Sequence, residues 1–441
     1  MTDTVDFGGD FTAMGHLRSR KQAEQKGDAV LLEADGCIPA SFVRGASWRY
    51  GLAFDPVAFE TDPTGSLTYS EGCSMHRPVS NLGNVLDVGT WGMTDAMLRD
   101  DFYATINGAG DILHTLDPYD LSKDVNGVDV SAEIATENVM YCAKLCYTKR
   151  NASGILHSSN INDGEAYAHT LGGHKYNYLA IPVYQGTIID GKLKSVSGHQ
   201  PTYNETRGTF RTAAHANGEN WHLINFHERH FMRDRILFAL KSFDSQRRIG
   251  NGYSVGGTTE NPAGLVSGQL NQAGPFAGNV TAVNQPVKCF VENFWGDKWE
   301  FIDDFVVDVG REDEDGKWVD VYAGQNVLAD DLLTSKTKIA SLPVTDLTVS
   351  TNFFATKIKT DDVDWGLWDN NAGSDSTGLC DRHWSFPTAQ RLGIAGGSSD
   401  HGSAGGVSAL SLSNSLSDRH WRIGARATLI THYAHCGLTP W

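Results

Sequence analysis

The segment from Trp295 to Phe301 carries three large aromatic side chains, at Trp295, Trp299 and Phe301. Rings of this size bury so much apolar surface that together they can anchor a core. The segment therefore predicts an aromatic anchor that holds long loops in place. The alternative is that these rings are ordinary core residues, and for the tryptophans we expect that structural role.

The remainder of the chain indicates a loop-rich protein. Charged residues make up only 20% of the 441 residues, and there are 47 glycines and 11 tryptophans. This balance is typical of β or α+β proteins, and the length exceeds that of one ordinary core. We predict an α+β protein with an N-terminal arm (residues 1–36), a β-rich attachment or oligomerisation module (37–170) and a second domain (171–441).

Charge and hydropathy argue against two classes of partner. The formal net charge is -17, which opposes binding to nucleic acid because phosphate contacts need clustered Lys and Arg. The start of the chain lacks both a basic region and an apolar one, and no later stretch approaches the roughly 20 apolar residues of a membrane span. We therefore expect neither nucleic-acid binding, nor Sec export, nor membrane insertion.

The seven cysteines are scattered and odd in number, unlike a disulfide framework. This pattern indicates a protein made in a reducing cytoplasm. Cys142 and Cys146 are four residues apart without a second pair at zinc-like spacing, so we interpret them as small buried side chains and not as metal ligands.

A helix is predicted to begin at Asn225, because Glu228 can reach back to the cap amide in a capping box. Apolar residues then recur at helical spacing while the charged residues fall largely elsewhere, which predicts one buried face. The apolar positions are Met232, Ile236, Leu240 and Phe243, and the charged positions are Arg229, Arg233, Asp234 and Arg235.

Several segments read as strands. Phe305–Val309 and Trp318–Tyr322 flank an Asp-Gly turn and predict a hairpin. The run 176–185 is rich in aromatic and β-branched residues, although Pro182 favours an edge or a bulge. Residues 423–433 predict a strand close to the C-terminus, and residues 94–103 predict a short helix.

Two groups of residues have the composition of metal ligands. His227 and His230 flank Glu228, but a zinc-protease helix needs two histidines at i and i+4, so we do not predict a zinc hydrolase. The oxygen-rich run with Asp369, Asn370, Asn371 and Asp375 resembles a calcium loop in composition, but a plain turn explains it better because the spacing is not fixed. No cofactor is predicted, with calcium left open.

Three separated segments resemble the C-type-lectin-fold family, which includes formylglycine-generating-enzyme-like proteins and phage tropism determinants. Residues 221–228 match the "RLPTEAEWE" helix start through Leu223, Asn225 and Glu228. Residues 296–301 are similar to "GNVWEW", and the run from Gly396-Gly397-Ser398 to Gly424-Ala-Arg426 resembles "GGSW…GFR". The resemblance implies that residues 171–441 form a C-type-lectin-like domain.

The same resemblance implies a scaffold role for seven residues: Leu223, Asn225, Glu228, Trp295, Trp299, Glu300 and Arg426. If Glu292 and Glu300 are buried they need donors, and Arg426 could supply a bidentate pair, with a surface ion pair as the alternative. The family's usual tryptophan or phenylalanine is replaced at Arg229, Ser399 and Ala425. The oxidative cysteines of formylglycine-generating enzymes have no counterpart after Ser398, so we predict no enzyme.

Three further segments resemble structural proteins of prophages and tailed phages: residues 178–184, residues 242–254 and residues 292–304. In that group the stretch before the final strand is a display loop. The resemblance implies a virion protein that contacts a host surface polysaccharide or protein. It also implies contact with other virion proteins through the N-terminal region, and homotrimers are common where such heads are displayed. The alternative is a capsid decoration or head-fibre protein whose lectin-like domain is mainly structural.

The tetrapeptide Asp-Arg-His-Trp occurs twice, and the second copy lies within the expected display stretch 398–422. Tryptophan and arginine on a loop give large contact area at modest entropic cost. We therefore predict a ligand-binding surface, although inward-packed tryptophans and a chance repeat explain the pattern equally well. Its members are Asp381, Arg382, His383, Trp384, Asp400, His401, Ser408, Leu410, Asn414, Asp418, Arg419, His420 and Trp421.

Overall fold

A computed structural model of the chain describes residues 48–70, 101–259, 262–324 and 333–432. Helices make up 14% and strands 36% of the structure, so the protein is mostly β. The predicted arm (1–36) and most of the predicted helix over 94–103 lie outside the described residues. At the described end of that segment, Phe102 and Tyr103 belong to a strand, so the helix prediction is wrong there.

The elements are numbered in chain order. The strands of the first half are β1 (Arg49–Phe54), β2 (Leu67–Ser70), β3 (Phe102–Ile106), β4 (Ile112–Asp117), β5 (Asp120–Asp124), β6 (Asn138–Lys144), β7 (Tyr147–Asn151), β8 (Gly154–Ser158), β9 (Thr170–Leu171), β10 (His174–Lys175), β11 (Tyr178–Pro182), β12 (Thr187–Ile189), β13 (Lys192–Lys194) and β14 (Trp221–Leu223). Those of the second half are β15 (Phe276–Ala277), β16 (Lys288–Cys289), β17 (Val291–Glu292), β18 (Trp299–Val307), β19 (Arg311–Asp313), β20 (Gly316–Ala323), β21 (Thr337–Pro343), β22 (Thr351–Phe353), β23 (His383–Ser385), β24 (Arg391–Ala395), β25 (Leu410–Asn414), β26 (Ile423–Gly424) and β27 (Ala427–Thr431).

The α-helices are α1 (Pro56–Thr61), α2 (Ser131–Ile134), α3 (Arg207–His215), α4 (Phe226–Leu240) and α5 (Ser245–Arg248). Short 3-10 helices cover Ile161–Asp163, Tyr167–His169, Leu333–Ser335 and Gly402–Ala404. No helix in the described part of the chain is both long and apolar enough to cross a lipid bilayer.

The first large sheet has the strand order β14-β27-β11-β6-β3-β4-β5. It combines strands from both sides of the boundary predicted near residue 170, since β6 and β11 are paired antiparallel along their length. The boundary therefore falls inside a shared sheet and does not separate two cores. The run 176–185 forms β11, which is a central strand between β6 and β27. The edge prediction from Pro182 is wrong, because Pro182 occupies the last position of the strand.

The second large sheet has the order β19-β20-β18-β24-β25-β23-β22, with β21 paired to β20 and β26 paired to β18. The predicted hairpin is confirmed: β18 pairs with β20, and β20 turns back onto β19 around the Asp-Gly turn. A four-stranded sheet, β2-β1-β8-β7, lies near the N-terminal end of the described chain.

The strand near the C-terminus pairs with two strands from earlier in the chain, and we call this arrangement of β11, β14 and β27 the clasp. β27, near the C-terminus, pairs antiparallel with β11 and with β14. The helices α3 and α4 lie between β11 and the second large sheet in sequence, and β18, β24 and β25 are neighbours in that sheet. The clasp thus brings together the two ends of the segment 178–431.

Helix α4 begins at the predicted capping box, where Asn225 accepts from the amide of Glu228 and the Glu228 carboxylate accepts from the amide of Asn225. The prediction of a single buried face is wrong, because the charged residues Arg229, Arg233 and Asp234 are buried too. Buried partners make this possible: the Asp234 carboxylate accepts from Arg150 Nε at 2.7 Å, and Arg233 donates to the Trp365 carbonyl at 2.7 Å.

Candidate binding surface

A buried ionic anchor lies at the centre of the clasp. Glu300, in β18, is only 1% exposed, yet its carboxylate accepts hydrogen bonds from three side chains. Arg229 Nη1 donates at 2.5 Å, Arg426 Nε at 2.6 Å and Gln185 Nε2 at 3.1 Å. A buried carboxylate needs such donors to offset its lost hydration. Glu300 therefore ties together α4, β18 and the segments on either side of the β11–β27 pair.

Arg426 also organises the surrounding backbone. Its Nη1 donates to the carbonyl of Pro182 at 2.9 Å, and its Nη2 donates to those of Glu292 at 2.6 Å and Asn293 at 2.9 Å. The expected bidentate pair is therefore wrong, since a single nitrogen of Arg426 contacts Glu300 and the others bind carbonyl groups. The alternative of a surface ion pair is excluded by burial.

Glu292 and Arg229 each have partners other than the Arg426 side chain. The Glu292 carboxylate accepts from the amides of Gly268 at 3.1 Å and Leu270 at 3.2 Å, and not from Arg426. Arg229, at the position of a family tryptophan, lies 3.8 Å from the centre of the Phe294 ring. A guanidinium group on an aromatic face fills this position with a cation–π contact.

The remaining scaffold positions are buried around the same clasp. Leu223 lies in β14 in the core. Besides capping α4, the Glu228 carboxylate accepts from His222 Nε2 at 2.6 Å and from Thr428 Oγ1 at 2.9 Å. Burial alone would lower the pKa of His222, but the Glu228 carboxylate outweighs it, so the pKa is raised. Glu228 therefore joins α4 to β27.

Trp295 and Trp299 have different surroundings. Trp295 is fully buried, and its indole nitrogen donates to the Gly250 carbonyl at 3.0 Å. Trp299 is buried as well, but its ring meets two side chains that reach the surface: the centroid of Trp384 lies at 5.4 Å and that of His401 at 5.1 Å. Trp384 and His401 are 5.2 Å apart. The three rings form one edge-to-face cluster that is partly open to solvent.

A continuous series of contacting side chains starts from this cluster, and all of them except the buried Lys298 have access to solvent. His401 contacts Asp400, which pairs with Arg422, and Arg422 lies over the ring of Trp421. Lys298 lies over the rings of both Trp421 and Tyr203. We define the aromatic strip as Tyr203, Lys298, Trp384, Asp400, His401, Trp421 and Arg422. It connects the tryptophans of both Asp-Arg-His-Trp copies, which are each half-buried.

Asp400 contacts three side chains in and beside the aromatic strip. Its carboxylate accepts from Ser398 Oγ at 2.8 Å, lies 3.1 Å from His401 Nδ1 and pairs with Arg422. Burial would raise the pKa of Asp400, but the hydrogen bonds from His401 and Ser398 and the charge of Arg422 outweigh it and hold the pKa at about 2. Asp400 is therefore ionised at physiological pH and orients its neighbours.

Trp421 is held between cations and backbone. Arg422 Cζ lies 4.9 Å and Lys298 Nζ 5.5 Å from its ring centroid, and Lys298 is also 4.9 Å from the ring of Tyr203. A Cβ at Gly257 would come within 3.1 Å of the indole, so the close approach of that backbone depends on glycine. These contacts fix the ring orientation while leaving the indole partly exposed.

Four of the predicted surface residues are not at the surface. Asp381, His383, Ser408 and Leu410 are 2%, 2%, 8% and 7% exposed, so this part of the prediction is wrong. β25 lies between β24 and β23, and residues 404–412 are all buried. Asp381 accepts from the amide of Ser408 at 2.7 Å, and the His383 ring packs against Trp368, 5.0 Å away.

The other predicted members retain access to solvent. In the described structure none of residues 413–422 is buried, and Arg419 is exposed. Asn414 donates to the Asp418 carboxylate at 2.7 Å, and His420 lies beside Trp421, with ring centroids 5.6 Å apart. Arg382 is half-buried, with its guanidinium 5.1 Å from the Phe354 ring. The display stretch is therefore accessible at residues 400–403 and 413–422, on either side of the buried run 404–412.

Sequence reasoning missed Tyr203, Lys298, Ser398 and Arg422. Two of them had a usable signal, because Lys298 immediately precedes Trp299 and Arg422 immediately follows the second tetrapeptide. Tyr203 had none, since its approach to Lys298 depends on the loop before α3.

The residues considered as metal ligands have other partners. His227 is on α4, where burial lowers its pKa to about 4. Asn370 Oδ1 accepts from the amides of Thr356 at 2.9 Å and Lys357 at 3.0 Å, and Asp369 pairs with Lys359 at 2.6 Å. Among the residues that the structure describes, no group of three or more His, Cys, Asp or Glu could hold a metal ion. Cys142 and Cys146 are buried free thiols.

A pH-dependent stability is expected from Asp297, beside the strip residue Lys298. Burial raises the pKa of Asp297 to about 7, and one oxygen accepts from the Leu265 amide at 3.0 Å while the other has no hydrogen-bond partner. Because the folded pKa exceeds the unfolded one, Asp297 destabilises the fold increasingly as pH rises from about 4 to about 7. Asp297→Asn should thus gain about 2–3 kcal/mol relative to the parent between about pH 5 and pH 8.

Urea unfolding at both pH values measures this difference, with the exposed turn residue Asp315→Asn as the matched control. Asparagine suits the site because Asp297 has a φ of 59°, a conformation that asparagine tolerates. A stability difference between variant and parent that is the same at both pH values would contradict the prediction.

No model of a known protein family matches the chain, and no curated protein sequence matches it.

Proposed function

We propose that the chain is a structural protein of a tailed-phage virion, of the tail-fibre, spike or receptor-binding type, and that residues 178–431 form a C-type-lectin-like domain displaying the aromatic strip for host attachment. The observation that carries this proposal is the clasp together with the strip. The proposal is supported by the pairing of the terminal strands β11 and β27, by the helices α3 and α4 that follow β11, and by the adjacent strands β18, β24 and β25. Loops held by such a frame are suited to recognition.

The geometry of the strip favours binding over catalysis. Ser398 Oγ and the Asp400 carboxylate both meet the same nitrogen of His401, Nδ1, at 2.8 Å and 3.1 Å. A nucleophile relay needs the hydroxyl and the carboxylate on opposite nitrogens of the imidazole ring. The three groups therefore orient one another and, in this arrangement, do not activate the serine. We propose a non-enzymatic role without a resident cofactor.

Assembly is part of the same proposal. The N-terminal region would attach to other virion proteins, and three copies would associate so that several weak sites act together. The protein would be made in the host cytoplasm and incorporated into the virion. The host partner would be a surface polysaccharide or a protein.

A second candidate is a capsid decoration or head-fibre protein with a mainly structural lectin-like domain. The burial of Asp381, His383, Ser408 and Leu410 favours it, because these residues support a sheet and are withheld from any ligand. Immunogold electron microscopy on particles from the strain that encodes the chain separates the candidates. Label at the tail tip supports attachment, label over the capsid supports decoration, and unlabelled particles would contradict both.

Attachment should depend on two residues of the second tetrapeptide, the exposed Arg419 and the half-buried Trp421. Trp421→Ala combined with Arg419→Ala should leave the protein folded and reduce binding of the purified protein to host cells about 30-fold, the loss typical of a tryptophan–arginine hot spot. Binding of labelled protein to cells at graded concentrations measures this change.

The matched control removes a tryptophan and an arginine from the β19–β20 hairpin. Arg311 is exposed and Trp318 half-buried there, and Arg311→Ala with Trp318→Ala should not change cell binding. A folded strip variant that binds cells as well as the parent would count against the aromatic strip as the attachment surface.

A further inference from the structure

Two guanidinium groups lie at the accessible end of the aromatic strip, Arg422 within it and Arg419 next to it in sequence. Its carboxylate, Asp400, is already engaged by Ser398, His401 and Arg422, and the neighbouring Asp418 accepts from Asn414. By contrast, the side chain of Arg422 is 40% exposed and Arg419 is exposed. Asp400 is thus paired within the protein while Asp418 keeps its charge, and Arg419 together with the Arg422 nitrogen that Asp400 does not engage can donate to a ligand.

The location of these cations is informative because the chain as a whole is acidic, with a formal net charge of -17. An acidic protein repels polyanions unless a local site supplies the opposite charge. Here Arg422 lies beside the half-buried ring of Trp421, the exposed Arg419 is two residues before that tryptophan, and Lys298, whose ammonium group also approaches the ring, is buried. Guanidinium groups bind carboxylate and phosphate groups well, since their planar donors match those oxygens.

We propose that the aromatic strip, together with the neighbouring Arg419, binds an acidic polysaccharide, whose carboxylate or phosphate groups pair with Arg419 and Arg422 while its sugar rings lie against Trp421 and Trp384. This inference rests on the proposed attachment function and specifies its ligand. It also assigns the charge of the site to the two arginines and not to a bound divalent cation.

A polysaccharide fits the strip better than a protein surface does. The centre of a protein–protein interface is depleted of charged residues. Along the strip, however, the Asp400–Arg422 ion pair lies between Trp384, which His401 connects to it, and Trp421. The side chains are already tied to one another, so little ordering is required on binding.

The test uses the purified full-length protein and three soluble polymers in isothermal titration calorimetry. Polygalacturonate carries carboxylates, poly(glycerol phosphate) carries phosphates and dextran is uncharged. We expect binding to at least one of the two acidic polymers and none to dextran, and the stronger acidic ligand identifies the charged group. Raising NaCl from about 50 mM to about 500 mM should weaken binding, and EDTA should leave it unchanged.

Two variants assign the charge to the strip. Arg419→Gln with Arg422→Gln should reduce affinity for the acidic polymer about tenfold or more. Lys149→Gln with Lys175→Gln removes two exposed cations from elsewhere and should change it less than about twofold. The intrinsic tryptophan fluorescence and thermal unfolding of each variant verify that it is folded, and Arg419→Gln alone serves if the double variant is not.

The possible failures are distinguishable. If neither acidic polymer binds or competes with cells, but Trp421→Ala with Arg419→Ala still weakens cell binding as predicted above, the ligand class is wrong and the attachment function stands. If the acidic polymers bind equally well to the parent and to the Arg419→Gln/Arg422→Gln variant, the assignment to the strip is overturned. If cell binding is indifferent to every strip variant, the proposed attachment function itself fails.

Discussion

Replacing Glu300 with glutamine should lower the free energy of unfolding by about 3–5 kcal/mol, the cost of leaving a buried charge without its partner. The change keeps the shape of the side chain but leaves Arg229 and Arg426, both buried, without the carboxylate that they share. Burial already lowers the pKa of Arg229 to about 10, which still keeps this guanidinium charged at neutral pH. Urea unfolding followed by tryptophan fluorescence measures the loss.

The exposed hairpin residue Glu312→Gln is the matched control and should change stability by less than about 0.5 kcal/mol. A double-mutant cycle with Arg229→Met tests the mechanism. If uncompensated charge is the cause, the double variant should be less destabilised than the sum of the single variants. A loss for Glu300→Gln within the range of the control, or strictly additive effects, would contradict the importance of this anchor.

The position of Glu300 in β18 explains how the buried ionic anchor is connected to the aromatic strip. Successive residues of a strand point to opposite faces, so Trp299 and Glu300 at the start of β18 serve two different functions. Glu300 contacts Arg426 and Arg229 inside the clasp, whereas the Trp299 ring supports Trp384 and His401. The single strand β18 therefore contacts both the buried ionic anchor and the aromatic strip.

Local features of the fold were predictable from the sequence. The capping box at Asn225 and Glu228 involves residues three positions apart, and the hairpin around Gly316 depends on a turn of a few residues. Both patterns operate over a short distance along the chain, so the sequence itself contains the relevant partners.

Features that depend on distant partners were not predictable in the same way. Burial of Arg233 and Asp234 on α4 requires Arg150 and the carbonyl of Trp365, which are far away in sequence. Likewise, the central position of β11 follows from its pairing with β6 and β27. The residue preferences that mark an edge strand or a solvated helix face are weak compared with such tertiary contacts.

The two Asp-Arg-His-Trp copies show the same limit within the candidate site. The first copy enters β23, where pairing with β22 and β25 buries His383, and the second lies in the turn before β26, where Arg419 stays exposed. Identical tetrapeptides therefore differ in accessibility because their neighbours differ. Their tryptophans nevertheless reach one surface, through contacts of Asp400, His401 and Arg422 that no local pattern specifies.

Trp295→Ala should cost about 3–5 kcal/mol, the range for removing a large aromatic side chain from a core. Trp295 is fully buried, and the variant also leaves the Gly250 carbonyl without the indole donor at 3.0 Å, a further penalty for a buried polar group. Trp384→Ala, which removes a half-buried strip residue, should cost less than half as much and keep the chain folded. Trp295→Phe retains much of the apolar area but loses the donor, so its stability should lie between those of the parent and the alanine variant. Chemical unfolding of the three variants ranks them, and equal losses for Trp295→Ala and Trp384→Ala would contradict the division between an aromatic anchor in the core and an aromatic strip at the surface.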